Sequence, residues 1–142
     1  MILLSKLIMG MVGSLALTVP SLPKADVAFI AILKVPEENQ SAFEALAVRM
    51  VDAASANDGL LIYEFARSGD RVFGYERYVD AAAHGRHEEI ISAFLPELMD
   101  LATFETIVTI SELSEEHQAG FEEIGAEIGT PVAGIAKGTL DR

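Results

Sequence analysis

The residues best suited to chemistry lie in one stretch. Tyr75-Glu76-Arg77-Tyr78 sets an acid and a base between two phenols, and His84 and His87 follow shortly after. An imidazole is largely uncharged at neutral pH and can take a proton from a phenolic hydroxyl, which makes His87 the candidate base. Glu76 is its candidate partner, orienting the ring. His84 precedes His87 by three residues and shares its helix face. Arg86 offers a fixed positive charge to an anionic group on a substrate. Tyr63, Tyr75 and Tyr78 can form a pocket wall and present hydroxyls to a ligand.

Each of these residues also has a plain structural alternative. His87 could serve as a helix-terminus residue bonded to Glu76 or to a backbone carbonyl. Glu76 falls mid-strand, where a charge must be paired or hydrogen-bonded, so it could tie its strand to a helix or to another subunit. The tyrosines could pack a core or an interface. Tyr75 and Tyr78 have opposite strand parity and must face opposite sides of a sheet. Arg86 could be a surface charge. His84, His87 and Glu88 make no metal site by themselves, since a third and fourth ligand are needed, and no spacing brings His117 near.

The elements that must position these residues can be read in order. Val27–Val35 is a nearly continuous apolar run rich in β-branched residues, a buried strand. Pro36 ends it, and Glu37 and Glu38 favour a helix N-terminus. Phe43, Leu46, Ala47, Met50, Val51 and Ala54 form one face of an amphipathic helix. Asn57-Asp58-Gly59 closes that helix, with Gly59 suited to a left-handed residue after the last turn. Leu60–Ala66 and Arg71–Val79 are strands joined by a hairpin turn at Arg67-Ser68-Gly69-Asp70. Gly74, inside the second of them, marks a close neighbour or a bulge.

Asp80 caps a short helix over Ala81–His87. A second helical stripe runs from Ile90 to Ala102, with Pro96 bending it. Thr103–Leu113 is the fourth strand. The order β-α-β-β-α-β predicts an α+β, ferredoxin-like split βαβ unit with both helices on one face of its sheet. The other face then needs cover, and a second copy packed sheet to sheet is the natural solution, so a homodimer is expected.

Two segments flank this unit. Residues 1–25 hold a 13-residue apolar run, Leu7–Val19, preceded by Lys6. That is short for a membrane span and suits a signal-peptide core. It implies a periplasmic or secreted protein if cleaved and a cytoplasmic one otherwise. Residues 114–142 form an acidic extension. Ser114 caps a helix there, and Leu113, Phe121, Ile124 and Ile128 give it a thin apolar stripe. Because Gly120, Gly125 and Gly129 weaken it, this helix should form only where it docks. One short strand is expected at Pro131–Ala136. The domain reading is therefore 1–25, 26–113 and 114–142.

Composition excludes several functions. The formal net charge of −12 leaves no basic surface for nucleic acid. With no cysteine, disulfides and thiolate chemistry are impossible. No phosphate loop, serine elbow or paired-carboxylate signature occurs.

The motif Tyr75-Glu76-Arg77-Tyr78-x-Asp80-x-x-Ala83-x-x-x-His87, with Asn57-Asp58-Gly59-Leu60 before a strand carrying Tyr63-Glu64, resembles the antibiotic biosynthesis monooxygenase family. The resemblance covers about Val27–Leu113. It implies a dimeric α+β barrel and a monooxygenase needing neither metal nor flavin. The substrate would be a small electron-rich aromatic, a quinol or hydroxylated polycycle, that gives its own electrons to O2. His87 and Glu76 would then be catalytic, and Tyr63, Tyr75, Tyr78, His84 and Arg86 would touch substrate. The family's usual tryptophan after the Glu-Arg pair is Tyr78 here, which speaks against its haem-degrading branch. The competing expectation is a non-catalytic dimer that holds a small ligand or acts as a sensor.

Overall fold

A computed structural model describes residues 26–134; the signal-peptide reading of residues 1–25 lies outside them. Strand β1 (Val27–Lys34) leads through a 3-10 turn into helix α1 (Gln40–Ala54). The hairpin β2 (Leu60–Ser68) and β3 (Arg71–Tyr78) follows, turning at Gly69, whose φ of 63° suits glycine. Helices α2 (Ala81–Ser92) and α3 (Leu95–Leu101), then β4 (Thr103–Thr109), complete the expected unit. The sheet order is β2-β3-β1-β4-β5, with β5 (Glu127–Ile128) added parallel to β4 and every other pairing antiparallel. This is the ferredoxin-like arrangement, extended by one strand.

The two sheet faces differ. Phe29, Ala31 and Leu33 of β1 alternate toward the helices, and Ala31 and Leu33 join Phe43, Leu46 and Met50 of α1 in the core. On the opposite face Ile30 lies between Tyr75 and Val108, and Ile32 beside Phe73. These residues and Ile62 are only half-buried, because no described helix covers that side.

The second helical region differs from its sequence reading. Instead of a break near His87 and a bend at Pro96, α2 runs unbroken past His87 to Ser92, and a new helix starts at Leu95. Pro96 sits in the first turn of α3, where a missing N–H removes no helical bond.

Three contacts converge on Ala83 and seat the first turn of α2. The Asp80 carboxylate accepts from the Ala83 N–H at 2.7 Å. The buried Asn57 amide donates to the Ala83 carbonyl at 2.8 Å. Gly59 lies so close that a Cβ would collide with the Ala83 methyl. Gly59 therefore serves close approach and not the left-handed conformation expected of it, since Gly69 and Gly125 are the described glycines with positive φ. Gly74 likewise makes room for the Phe65 ring.

The extension folds onto the unit. Ser114 caps α4 (Glu115–Glu123) by accepting from the His117 N–H at 3.2 Å. The chain then turns at Gly125 and enters β5, several residues before the strand expected at 131–136; of that range, 131–134 are described and are not strand. Parallel pairing with β4 and the Gly129 N–H bond to the Thr109 carbonyl (3.1 Å) place it there.

If Gly59 is glycine for approach, Gly59→Ala should destabilise the fold by roughly 1–3 kcal/mol through overpacking, read as a lowered urea midpoint. An unchanged midpoint would mean that α2 has slack at this contact.

Candidate active site

Register brings the polar group of the site to the middle of the sheet. Glu76 of β3 lies between Phe29 of β1 and Tyr63 of β2, in a row that faces the helices. Above it, α2 buries Ala83, His84, His87 and Ile91, residues spaced to share one helix face. Between sheet and helices lies a cavity of about 260 Å³. Its wall is mostly apolar, and Tyr63, Glu76, His84 and His87 supply polar atoms to it, with Glu88 at its edge.

The polar contacts are close. His87 Nε2 is 3.5 Å from Glu76 Oε2. The Tyr78 hydroxyl donates to the same carboxyl oxygen. The Tyr63 ring meets His87 edge-on at 4.5 Å. His87 Nδ1 is buried without a hydrogen-bond partner among the described residues. Burial governs the protonation of all these groups. It pushes the Glu76 carboxyl up to about 7; the Tyr78 hydrogen bond opposes this and the nearby Glu88 adds to it. Burial lowers His87 to about 4. It lowers His84 to about 4 as well, with His117 and His87 adding to the effect. The Tyr63 and Tyr78 hydroxyls are pushed up, first by burial and then by Glu76. At neutral pH both buried imidazoles are thus uncharged, and Glu76 divides between carboxyl and carboxylate.

Five of the seven residues singled out by sequence meet here: His87, Glu76, Tyr63, Tyr78 and His84. Tyr78 is fully buried behind Glu76 and acts on the carboxyl, not on the cavity. Two residues are elsewhere. Tyr75 faces the helix-free side of the sheet, beside Ile30 and Glu64, as its opposite parity to Tyr78 requires. Arg86 is exposed, with its guanidinium near Gly59 and away from the cavity lining. Substrate contact is therefore withdrawn for both. Sequence reasoning missed His117, whose Nε2 lies 2.8 Å from His84 Nδ1. It also missed Phe121 of α4 and Ile124 directly after that helix, which line the cavity. The apolar stripe of α4 signalled that the helix docks but not where. Among the described residues no three His, Cys, Asp or Glu side chains converge as a metal would require.

With this geometry in place, known proteins can be compared with the chain. Residues 27–89 match the family model described as antibiotic biosynthesis monooxygenase. No curated protein matches the sequence. Solved structures share the fold. MupZ from Pseudomonas fluorescens superposes with a TM-score of 0.71 at 18% identity, over 83% of this chain and 99% of that one. Rv0793 from Mycobacterium tuberculosis gives 0.55 at 23% identity, over 64% and 98%. SnoaB from Streptomyces nogalater, a cofactor-independent oxygenase, gives 0.52 at 19%, over 61% and 92%.

The shifted groups have opposite effects on stability. On unfolding, Glu76 returns from about 7 to its ordinary 4.5 and releases a proton between those values. His84 and His87 return from about 4 to 6.5 and each takes one up. Glu76 therefore lowers stability as pH rises toward 7, and the histidines raise it as pH rises toward 6.5. Between about pH 5 and 6.5 two rising contributions oppose one falling one. Glu76→Gln removes the falling one, so the variant's urea stability should climb more steeply with pH than that of the parent. Equal slopes would show that Glu76 titrates normally in the fold.

Proposed function

We propose that the chain is a cofactor-independent monooxygenase acting on a small, electron-rich, hydroxylated aromatic. The observation that carries the reading is the Glu76 carboxyl set 3.5 Å from the His87 imidazole on the wall of an apolar cavity. Isolated buried carboxyls are costly, and a strongly shifted one in a cleft marks a candidate functional site. The family match and the fold shared with an oxygenase agree with this chemistry.

The steps follow from the groups present. Glu76 as carboxylate takes a proton from the substrate; its value of about 7 is matched to neutral operation. His87 stands 3.5 Å away as a neutral imidazole that positions the carboxylate. The deprotonated ring gives electrons to O2, a C–O bond forms at a ring C–H carbon para to the hydroxyl, the O–O bond breaks, the C–H proton is lost and water leaves. The balance is one hydroxylated ring and one dioxygen to one quinone and one water, with all four electrons drawn from the substrate. The apolar wall keeps bulk water from the reactive anion. The cavity lies below the usual range for drug-sized ligands, which restricts the substrate to compact molecules.

One observation favours a second reading. Helix α4 lies against the cavity through Phe121 and Ile124, and a covered pocket suits storage or sensing as well as turnover. Oxygen uptake by the full chain with a panel of quinols and anthrones separates the two. Catalysis predicts substrate-dependent uptake that falls at least about 100-fold in Glu76→Gln and His87→Ala. Tight binding without uptake by the parent protein would select the binding module.

The helix-free sheet face is read as the seat of a second copy, since Ile30, Ile32, Ile62, Phe73 and Val108 leave it apolar. Sedimentation should show a dimer for the parent chain and a monomer for Ile32→Arg. A monomeric parent would refute the assembly and leave the cavity reading intact.

A further inference from the structure

We infer that α4 is a wall of the ligand site and that Phe121 sets the size of molecule the site accepts. This rests on reading the cavity as a small-molecule site, and adds to it a residue from outside the ferredoxin-like unit.

His117, Phe121 and Ile124 fall at i, i+4 and i+7, one stripe of the helix. Phe121 and Ile124 line the cavity, and His117 meets it only through His84. His117 bonds to His84, a residue of the cavity wall, at 2.8 Å. Phe121 is 5% exposed, its ring 5.1 Å from Phe29 edge-on and 5.6 Å from His84 nearly parallel, at 8°. Both geometries are favourable for aromatic pairs. Ile124 also lines the cavity but is 65% exposed, which places it at the rim. Phe121 is therefore the inner wall and Ile124 the lip.

The wall is anchored at both ends. At the start, His117 in the first turn of α4 bonds to His84 of α2 at 2.8 Å. At the other end the Ala126 N–H bonds back to the Phe121 carbonyl at 3.0 Å, and β5 joins the sheet directly after. A side chain held by a tethered helix against Phe29 and His84 cannot swing away as a loop residue would. Its bulk is subtracted from the cavity, and a larger ligand must meet it.

Changing the volume at position 121 in both directions tests this without relying on one variant that might lose core packing. Phe121→Val enlarges the cavity and Phe121→Trp narrows it. The probes are 2-naphthol and 2-hydroxyanthracene, which carry the same hydroxyl on two and three fused rings. Their intrinsic fluorescence reports binding to the full chain, which has no tryptophan to interfere; for Phe121→Trp the probes are excited beyond the indole absorption. Relative to the parent, Phe121→Val should shift the affinity ratio toward the three-ring probe by roughly tenfold, and Phe121→Trp toward the two-ring probe by a similar factor, the scale expected for small volume changes in an apolar pocket. A ratio unchanged in both folded variants, with both probes bound, would overturn the role of Phe121 and leave the cavity as a site. Failure of the parent chain to bind either probe would overturn the cavity reading itself, and the inference with it.

Discussion

Holding the Glu76 carboxyl out of water is the constraint on which the rest of the site depends. A carboxylate in an apolar interior is costly, and a protein meets that cost by keeping the group neutral or by giving it partners. Both happen here. Glu76 is raised to about 7, Tyr78 donates to it, and His87 stands within 3.5 Å. The imidazoles and phenols around it are uncharged, so Glu76 is the group of this site whose protonation changes near neutral pH. That is a useful state for proton transfer at neutral pH, because the carboxylate form of Glu76 can take a proton inside the cavity.

The packing around this group follows from the need to bring α2 down onto β3. The helix carries its imidazoles toward the sheet only if its first turn sits close. Asn57 and Asp80 tie that turn by its backbone, and the missing side chain at Gly59 lets it approach. The three residues surround Ala83, which directly precedes His84 and lies one helical turn before His87. A displacement at Ala83 would be carried along the helix to both rings.

The two faces of the sheet divide the labour. One face holds the core and the cavity. The other is half-buried, apolar in patches and crossed by the ion pair of Arg77 with the buried Asp26. The same alternation of side chains along β3 that sends Glu76 and Tyr78 toward the helices sends Tyr75 and Arg77 away from them. Helix α4 and β5 then extend the cavity side and complete its wall.

Much of this was legible in the residue order, and the division is physical. The strands, the hairpin at Gly69, the Asp80 and Ser114 caps, the shared face of His84 and His87 and the opposed parity of Tyr75 and Tyr78 are all local consequences of backbone geometry. Spacing of 2 or 3.6 residues determines them without reference to anything distant. The start of α3 was missed because Pro96 reads alike inside a bent helix and in a first turn, and only the packing of Leu98 and Ile91 into the core chooses between them. Gly59 was assigned a local job because its true neighbour, Ala83, is far along the chain. His117 and Phe121 could be seen to lie on a weak amphipathic helix, yet their meeting with His84 and Phe29 depends on where a short tether and the pairing of β5 with β4 set that helix down. The sequence by itself determined which side chains share a face and which groups could exchange a proton. Tertiary structure alone decided which faces meet, and with that how far each group is removed from water, because desolvation depends on everything packed around an atom and not on its neighbours in the chain.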